Sequence, residues 1–332
     1  MTILMTSDLH FTDRPKDQYR FDLFPWLEKH IKKHNVSHLF LLGDITDSKD
    51  RHSSKLVNLI VDNLVSISHI PCLEGVILLR GNHDCFDAKD PFFSFLSEIP
   101  KLIFISEPMV FEIPNKTFLM LPHSRDPMKD WVDLEYNVDF IFMHQTMNGS
   151  IASSGQEMEG LKERIFKGSK ARIYSGDIHV PQELGKVTYV GAPYRITFGD
   201  EYDPRILLFN TDWTTTDLKL KTTSKHTIRI SNPDKIKKGP YKKGDQVKVI
   251  LQLKKSDLFE WENYRRKIIN VCDKLGLDLC GLELEKVEKK SLKEENNIEK
   301  YDPLNPTKTF DEFCELHKLD KFTREAGAHL LK

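Results

Sequence analysis

The chain has 332 residues, a formal net charge of −1, 39% hydrophobic and 30% charged residues. Such a chain can bury a sizeable core and has room for two domains. Its composition describes a soluble globular protein, and no apolar run approaches the ~20 residues a helix needs to span a bilayer.

In chain order, strands alternate with helical stretches. Ile3 to Thr6 reads as a short apolar strand, followed by Ser7-Asp8-Leu9-His10. Phe21, Phe24, Leu27 and Ile31 stand at helical spacing and predict an amphipathic helix. Leu39 to Leu42 is a second strand, running into Gly43-Asp44-Ile45-Thr46-Asp47. Leu56, Leu59, Ile60, Asn63 and Leu64 mark the next helix, with Ser53 or Ser54 as its cap. Val76 to Leu79 is a third strand, ending at Gly81, which can turn the chain sharply toward Asn82-His83-Asp84. A βαβαβ order implies parallel strands with right-handed crossovers, so three polar tips emerge on one edge, where open α/β sheets bind ligands.

The next stretch is richer in β-structure. Lys116 to Leu121 and Phe140 to Met143 read as strands, the latter delivering His144. Ile173 to Ser175 leads into Gly176-Asp177-Ile178-His179. Val187 to Val190 and Ile206 to Phe209 are expected to continue the same sheet, with Gly191-Ala192-Pro193 as a turn between them. The N-terminus lacks the basic region of a signal peptide. The five cysteines form neither a zinc-like pair nor an even-numbered framework. Reduced thiols and a cytoplasmic location are therefore expected.

Asp8, His10, Asp44, Asn82, His144, Asp177 and His179 offer carboxylate, amide and imidazole donors, with no thiolate among them. Such a set suits hard or borderline divalent metals, Mn²⁺ first, with Fe²⁺, Zn²⁺ or Mg²⁺ as alternatives. Seven donors are too many for one ordinary site but suit two adjacent ions. Two ions roughly 3.5–4 Å apart can clamp a phosphoryl group and generate a bridging hydroxide at neutral pH. Taken singly, Asp8-Leu9-His10 could be a surface turn, Gly43-Asp44 a helix cap and His144 a satisfied core histidine. Their common placement after strands favours a site.

Asp-x-His, Gly-Asp, Gly-Asn-His-Asp, a lone His and a closing Gly-x-x-His, spread over Asp8 to His179, resemble the calcineurin-like metallophosphoesterase superfamily. Val190-Gly191-Ala192-Pro193 with Phe198-Gly199-Asp200-Glu201 is similar to the stretch that follows the last metal motif in SbcD-type nuclease subunits of DNA repair and recombination, phage versions included. The resemblance implies an α/β fold: a metallophosphoesterase β-sandwich flanked by helices, with a small α+β capping domain and a C-terminal helical tail. It implies one metal on Asp8, His10, Asp44 and His179, a second on Asp44, Asn82, His144 and Asp177, and His83 as the catalytic histidine. Asp177 departs from the family pattern, which has a histidine there. Asp47 fits the bacterial branch, and His52 lies nearby in sequence without an assigned place.

Composition shifts beyond residue 218, giving expected domains of 1–218 (nuclease), 219–287 (basic capping and DNA-binding) and 288–332 (charged linker and partner-docking helices). From Lys219 to Lys290 there are 19 Lys and Arg against 10 Asp and Glu, a local charge of +9. A basic module on a near-neutral chain points to a phosphate-rich polymer. Val247 to Leu253 and Leu282 to Val287 read as strands around a helix with Leu258, Trp261, Arg265, Ile268, Cys272 and Leu275 on one face. Ten of the sixteen residues from Glu285 to Lys300 are charged, as in a solvated linker. Beyond it, Thr309 to His317 and Lys321 to Leu331 suggest short helices. They read either as a helical hairpin packed on its own domain or, by resemblance, as a docking segment for an SbcC-like, SMC-type ATPase. The resemblance also allows a homodimer through the phosphoesterase domain.

The leading expectation is a two-metal DNA exonuclease and endonuclease. The alternatives are a phosphatase or small-molecule phosphodiesterase with the same centre, and a non-catalytic DNA-binding subunit.

Overall fold

A computed structural model of the chain describes residues 1–113, 115–286 and, further on, 310, 314, 315, 319, 321 and 324. The expected linker and docking helices beyond 287 lie outside the described residues except at those last positions.

The strands, in chain order, are β1 (Ile3–Thr6), β2 (His38–Leu41), β3 (Gly75–Leu79), β4 (Leu102–Ile105), β5 (Met109–Ile113), β6 (Lys116–Leu121), β7 (Phe140–His144) and β8 (Arg172–Gly176). They continue with β9 (Gln182–Leu184), β10 (Val187–Tyr189), β11 (Ile206–Phe209), β12 (Thr215–Leu218), β13 (Lys225–Ile230), β14 (Gln246–Leu253) and β15 (Asp278–Lys286). The α-helices are α1 (Leu23–His34), α2 (Ser54–Ser68), a single turn α3 (Pro127–Asp130) and α4 (Trp261–Leu275).

Among the described residues there are two six-stranded sheets, β12-β11-β1-β2-β3-β4 and β5-β6-β7-β8-β10-β9, and a three-stranded sheet, β13-β14-β15. Strands β1, β2, β3 and β4 run parallel, as do β6, β7 and β8. Strand alternation sorts the apolar side chains into layers. Met5, Phe40, Ile77 and Leu79 face Phe118, Met120, Phe140 and Phe142 across the sandwich. Leu4, Leu39, Leu41, Val76 and Leu78 turn the other way, onto Leu27 and Ile31 of α1 and Ile60 and Leu64 of α2. Leu119, Leu121, Ile141 and Met143 pack with Trp131 and Phe166 on the outer face of the second sheet.

The Ser53 side chain accepts the Leu56 N–H and caps α2. Phe21 belongs to a 3₁₀ segment ahead of α1, whose first turn holds Pro25, where a missing N–H costs nothing.

One expectation is corrected. Ile206–Phe209 does not continue the sheet of β10 but pairs antiparallel with β1 in the other sheet. Leu207 and Phe209 face the sandwich interior while Ile206 and Leu208 face the helix layer. This strand is apolar on both faces, so local pattern did not assign its partner.

By compactness the chain forms two units, Met1–Leu253 with Phe259–Glu285, and Lys254–Leu258 with Lys286–Lys332. Within the first, β13 pairs parallel with β14, and the buried edge of α4 is Ile268, Val271 and Cys272, with Arg265 exposed. In the second, Leu319 N–H donates to Cys314 O at 3.0 Å, and the Arg324 guanidinium donates to Cys314 O and Leu319 O at 3.0 Å. No helix of the described residues is long and apolar enough to cross a membrane.

Candidate metal centre

The polar tips predicted from sequence all follow strands: Asp8 and His10 after β1, Asp44 after β2, Asn82 and His83 after β3, His144 at the end of β7, and Asp177 and His179 after β8. Asp8, His10, Asp44 and Asp177 have φ of 55°, 44°, 55° and 81°. Such left-handed backbone costs L-residues of order 1 kcal/mol each and persists only where surroundings hold it. Here Asp8 N–H donates to Gly43 O at 3.1 Å and His10 N–H to Asp44 O at 2.9 Å. The first two tips are thereby locked together. A Cβ on Gly81 would stand 2.2 Å from Asp44 Oδ1, and one on Gly43 would stand 2.3 Å from His144 Nδ1. Glycine is what lets these loops approach.

Donor atoms of Asp8, His10 and His179 lie within 4.8 Å of one another, and so do those of Asp8, Asp44 and His144. His10 Nε2 stands 3.1 Å from His179 Nε2 and 3.5 Å from Asp44 Oδ2. His144 Nε2 stands 3.4 Å from Asp44 Oδ1 and 3.8 Å from Asp177 Oδ1. His144 Nδ1–H donates to Leu42 O at 2.6 Å, so Nε2 turns its lone pair inward, the usual support for a ligating histidine. That nitrogen and Asn82 Oδ1 are buried without a hydrogen-bond partner among the described residues.

Burial sets the electrostatics. It pushes the Asp8 carboxyl up and the His10 imidazole down to about 3. It also disfavours charge on His144, but Asp44, Asp8 and Asp177 outweigh it and raise that pKa well above the usual 6.5. Burial of Asp44 is outweighed in turn by His144, His10 and His83, which lower its carboxyl. The buried carboxylates hold a proton on His144 while burial keeps His10 neutral, so the cluster calls for cationic charge, which divalent ions supply. The residues fit the two metals that the motifs imply.

Supporting groups surround this cluster. Asp84 accepts the Gly81 and Asp44 N–H groups through Oδ2 (2.6 and 2.9 Å) and the Ile45 N–H through Oδ1 (2.8 Å). It clasps the second tip to the third, and burial followed by the nearby Asp44 charge pushes its pKa up to about 6. His83 N–H donates to Asp44 Oδ1 at 2.8 Å, and His83 Nδ1 bonds Asp47 O at 2.9 Å. Its ring meets His10 edge-on at 5.0 Å. The Arg20 guanidinium donates to His10 O, and to Asp17 Oδ1 and Ile196 O, both at 3.3 Å. Lys225 of β13 joins the same Asp17 and Ile196 groups at 3.4 and 2.8 Å. The third sheet is thus tied to the loop that carries His10.

Thr146, which donates its hydroxyl to Asp177 Oδ2, and His123, 6.3 Å ring to ring from His144, were not singled out from sequence. His123 follows β6 as the other tips follow their strands, and that rule could have found it. His52 bonds Lys49 O at 3.1 Å and packs on Phe92 and Phe93, so it belongs to loop packing.

The chain is 25% identical over 312 residues to exonuclease subunit 1 of Enterobacteria phage T4, spanning 88% of this chain and 90% of that one. Among solved structures it is similar to a novel archaeal phosphodiesterase (14% identity, TM-score 0.36, covering 66% of this chain and 100% of that one) and to Pseudomonas putida nuclease MPE (18%, 0.34, covering 65% and 87%). The model of the calcineurin-like phosphoesterases matches residues 1–181, the stretch holding every strand tip of this centre, and the chain belongs to that family.

Proposed function

We propose that the chain is a two-metal DNA nuclease, cleaving phosphodiesters as exonuclease and endonuclease, and that it serves as the nuclease subunit of an SbcCD-like complex in the cytoplasm. The observation that carries this reading is the paired donor cluster that shares Asp8 and is bridged by Asp44, which stands beside His10 and His144, in a chain whose residues 219 to 290 carry a local charge of +9. The phage relative's name, an exonuclease subunit, supports a nuclease activity exercised within a complex.

In this reading Asp8, His10, Asp44 and His179 hold one ion, and Asp44, Asn82, His144 and Asp177 hold the other. Bound there, Mn²⁺ or a similar ion supplies Lewis acidity and lowers the pKa of a water nucleophile. The chain's own residues do the rest. Leu42 O fixes the His144 tautomer, Asp84 holds Asp44 and Asn82 in register, and Asp47 O orients His83. His83 gives a proton to the departing oxygen.

The direct test is an assay with manganese on plasmid and end-labelled duplex beside a chromogenic phosphodiester. Nicking or shortening of the DNA is expected, and turnover of the small ester alone would point to a small-molecule phosphodiesterase instead.

Asp177 replaces an imidazole as ligand of the second metal in this scheme. Thr146 holds one carboxylate oxygen while the other faces His144 Nε2 at 3.8 Å. Asp177→Ala is expected to weaken second-metal binding at least about tenfold, whereas Asp177→His keeps substantial manganese-dependent cleavage. Anomalous scattering from manganese-soaked crystals reads this directly. Two full sites with Asp177 turned away from both would reject it.

A DNA track is proposed along the third sheet. Arg229 and Lys248 line a cavity of about 680 Å³ together with Val180, Phe198, Glu201 and Tyr202, and Val180 directly follows His179. Replacing the exposed Arg229 by glutamine is expected to flatten the dependence of log K on log salt by about 0.9 for each phosphate no longer neutralised. Fluorescence anisotropy of duplex between 50 and 200 mM salt measures it, and an unchanged slope would move the track elsewhere.

A further inference from the structure

A second cavity, of about 500 Å³, opens beside Asn82 and is lined by Lys49, Arg80, Phe86, His123 and Arg125 among others. Phe86, 60% exposed, is a large apolar ring presented to solvent at its mouth. An exposed aromatic on a loose loop would mean little. The Phe86 backbone is instead held from two sides: its carbonyl accepts from Arg125 Nη2 at 3.1 Å, and its N–H donates to Asp50 Oδ1 at 3.4 Å. The preceding Cys85 is contacted by Arg80 Nη1 at 3.5 Å. The backbone is fixed and the ring is left out.

Three cations, Lys49, Arg80 and Arg125, stand in the lining. Lys49 Nζ lies 5.5 Å from the Phe86 ring centroid. The Arg80 guanidinium, 5% exposed, donates to the carbonyls of Ser106 and His123 and to Cys85 Sγ, all uncharged groups. Two carboxylates also line the cavity, Asp87 and Asp130. Both are engaged locally, Asp87 by Lys89 N–H at 3.0 Å and Asp130 by the Ser124 hydroxyl at 2.6 Å. An anionic group with a flat apolar face suits this arrangement, and a nucleotide is such a group.

We propose that Phe86 is a stacking platform for one nucleobase of the DNA strand next to the scissile phosphate, with Lys49, Arg80 and Arg125 holding the flanking phosphate. This inference rests on the nuclease reading and deepens it. The cavity reaches from a candidate metal ligand, Asn82, to the ring, so a base on Phe86 belongs to a nucleotide adjoining the metals. Stacking is indifferent to base identity, so the site would register the strand without selecting sequence.

The test uses full-length protein and single-stranded oligonucleotides carrying 2-aminopurine in turn at each of the four terminal nucleotides. Binding is read with manganese in a His83→Ala background. Fluorescence quenching is expected at one position, lost in Phe86→Ala and kept in Phe86→Tyr. In cleavage assays, Phe86→Ala should lower kcat/KM about tenfold. An abasic nucleotide at the quenched position should cost the Phe86 protein the same factor and cost Phe86→Ala nothing more. Quenching and abasic penalty that persist undiminished in Phe86→Ala would overturn the proposal. Should unmodified protein fail to cleave DNA, the nuclease reading fails, while quenching still decides whether Phe86 stacks a base.

Discussion

Asp44→Ala is expected to lower manganese-dependent phosphodiester cleavage by about 10³-fold or more, because the charge stabilisation supplied by two ions is several kcal/mol and each 1.36 kcal/mol is a factor of ten. Asp44 stands beside a histidine of each donor group, 3.5 Å from His10 Nε2 through one oxygen and 3.4 Å from His144 Nε2 through the other. Under the proposed assignment, its removal would take a ligand from each ion at once. A thermal readout separates this from a local folding defect. Saturating manganese at 100 times Kd should stabilise the unmodified protein by about 2.7 kcal/mol, and Asp44→Ala should lose most of that increment. Asp44→Asn is the control. It keeps an oxygen that can accept the His83 N–H, now 2.8 Å from Asp44 Oδ1, but removes the charge. If charge at the metals is the main role, the asparagine variant behaves like alanine. If Asp44 chiefly anchors the His83 loop, asparagine rescues activity. Wild-type manganese content in Asp44→Ala, measured by elemental analysis, would reject the assignment altogether.

Much of this centre was legible in the chain alone, for a physical reason. A ligand at a strand tip is a local feature: an apolar run, a turn, then a polar side chain. The three parallel strands with helical crossovers then brought those tips together. Ile3–Thr6, Lys116–Leu121 and Ile206–Phe209 have the expected bounds. What escaped was non-local or polar. The sheet to which β11 belongs depends on its pairing with β1, roughly two hundred residues away, and both its faces are apolar. Strands β9 and β12 are short, polar edges, without an alternation to read. Asp84 was visible as the last residue of a motif, but its use as a clasp for the Asp44 and Ile45 N–H groups is a property of two loops that meet in space. Thr146 matters through Asp177, thirty-one residues on, and no spacing rule links a hydroxyl to a carboxylate at that distance.

The charge asymmetry tells a similar story at larger scale. The +9 of residues 219 to 290 was countable, yet counting did not say which cations are free to meet phosphate. Lys225 is buried on Asp17 and Ile196 O, and Lys248 has Glu283 at 2.7 Å. Arg229 is exposed on the groove that passes Val180. Through Lys225, part of the module's charge therefore joins the third sheet to the loop that carries His10, and the proposed DNA track falls to exposed cations such as Arg229.

His83→Ala should reduce kcat on DNA by about 10²–10⁴-fold, the usual worth of a positioned general acid, while leaving both metals bound. The second half of that expectation follows from how His83 is attached. The bond that reaches a candidate ligand is its backbone N–H to Asp44 Oδ1, which alanine retains. Its side chain is bonded to Asp47 O and otherwise lies edge-on to His10. Truncating it therefore takes away a proton carrier without withdrawing a ligand. The role as acid makes a further demand. A departing sugar oxygen is a poor leaving group and needs the proton, whereas a nitrophenolate does not. The loss on DNA should then exceed the loss on a nitrophenyl phosphodiester by an order of magnitude or more. Equal losses on the two substrates, with manganese still bound, would mean that His83 positions the phosphate rather than protonating the leaving oxygen.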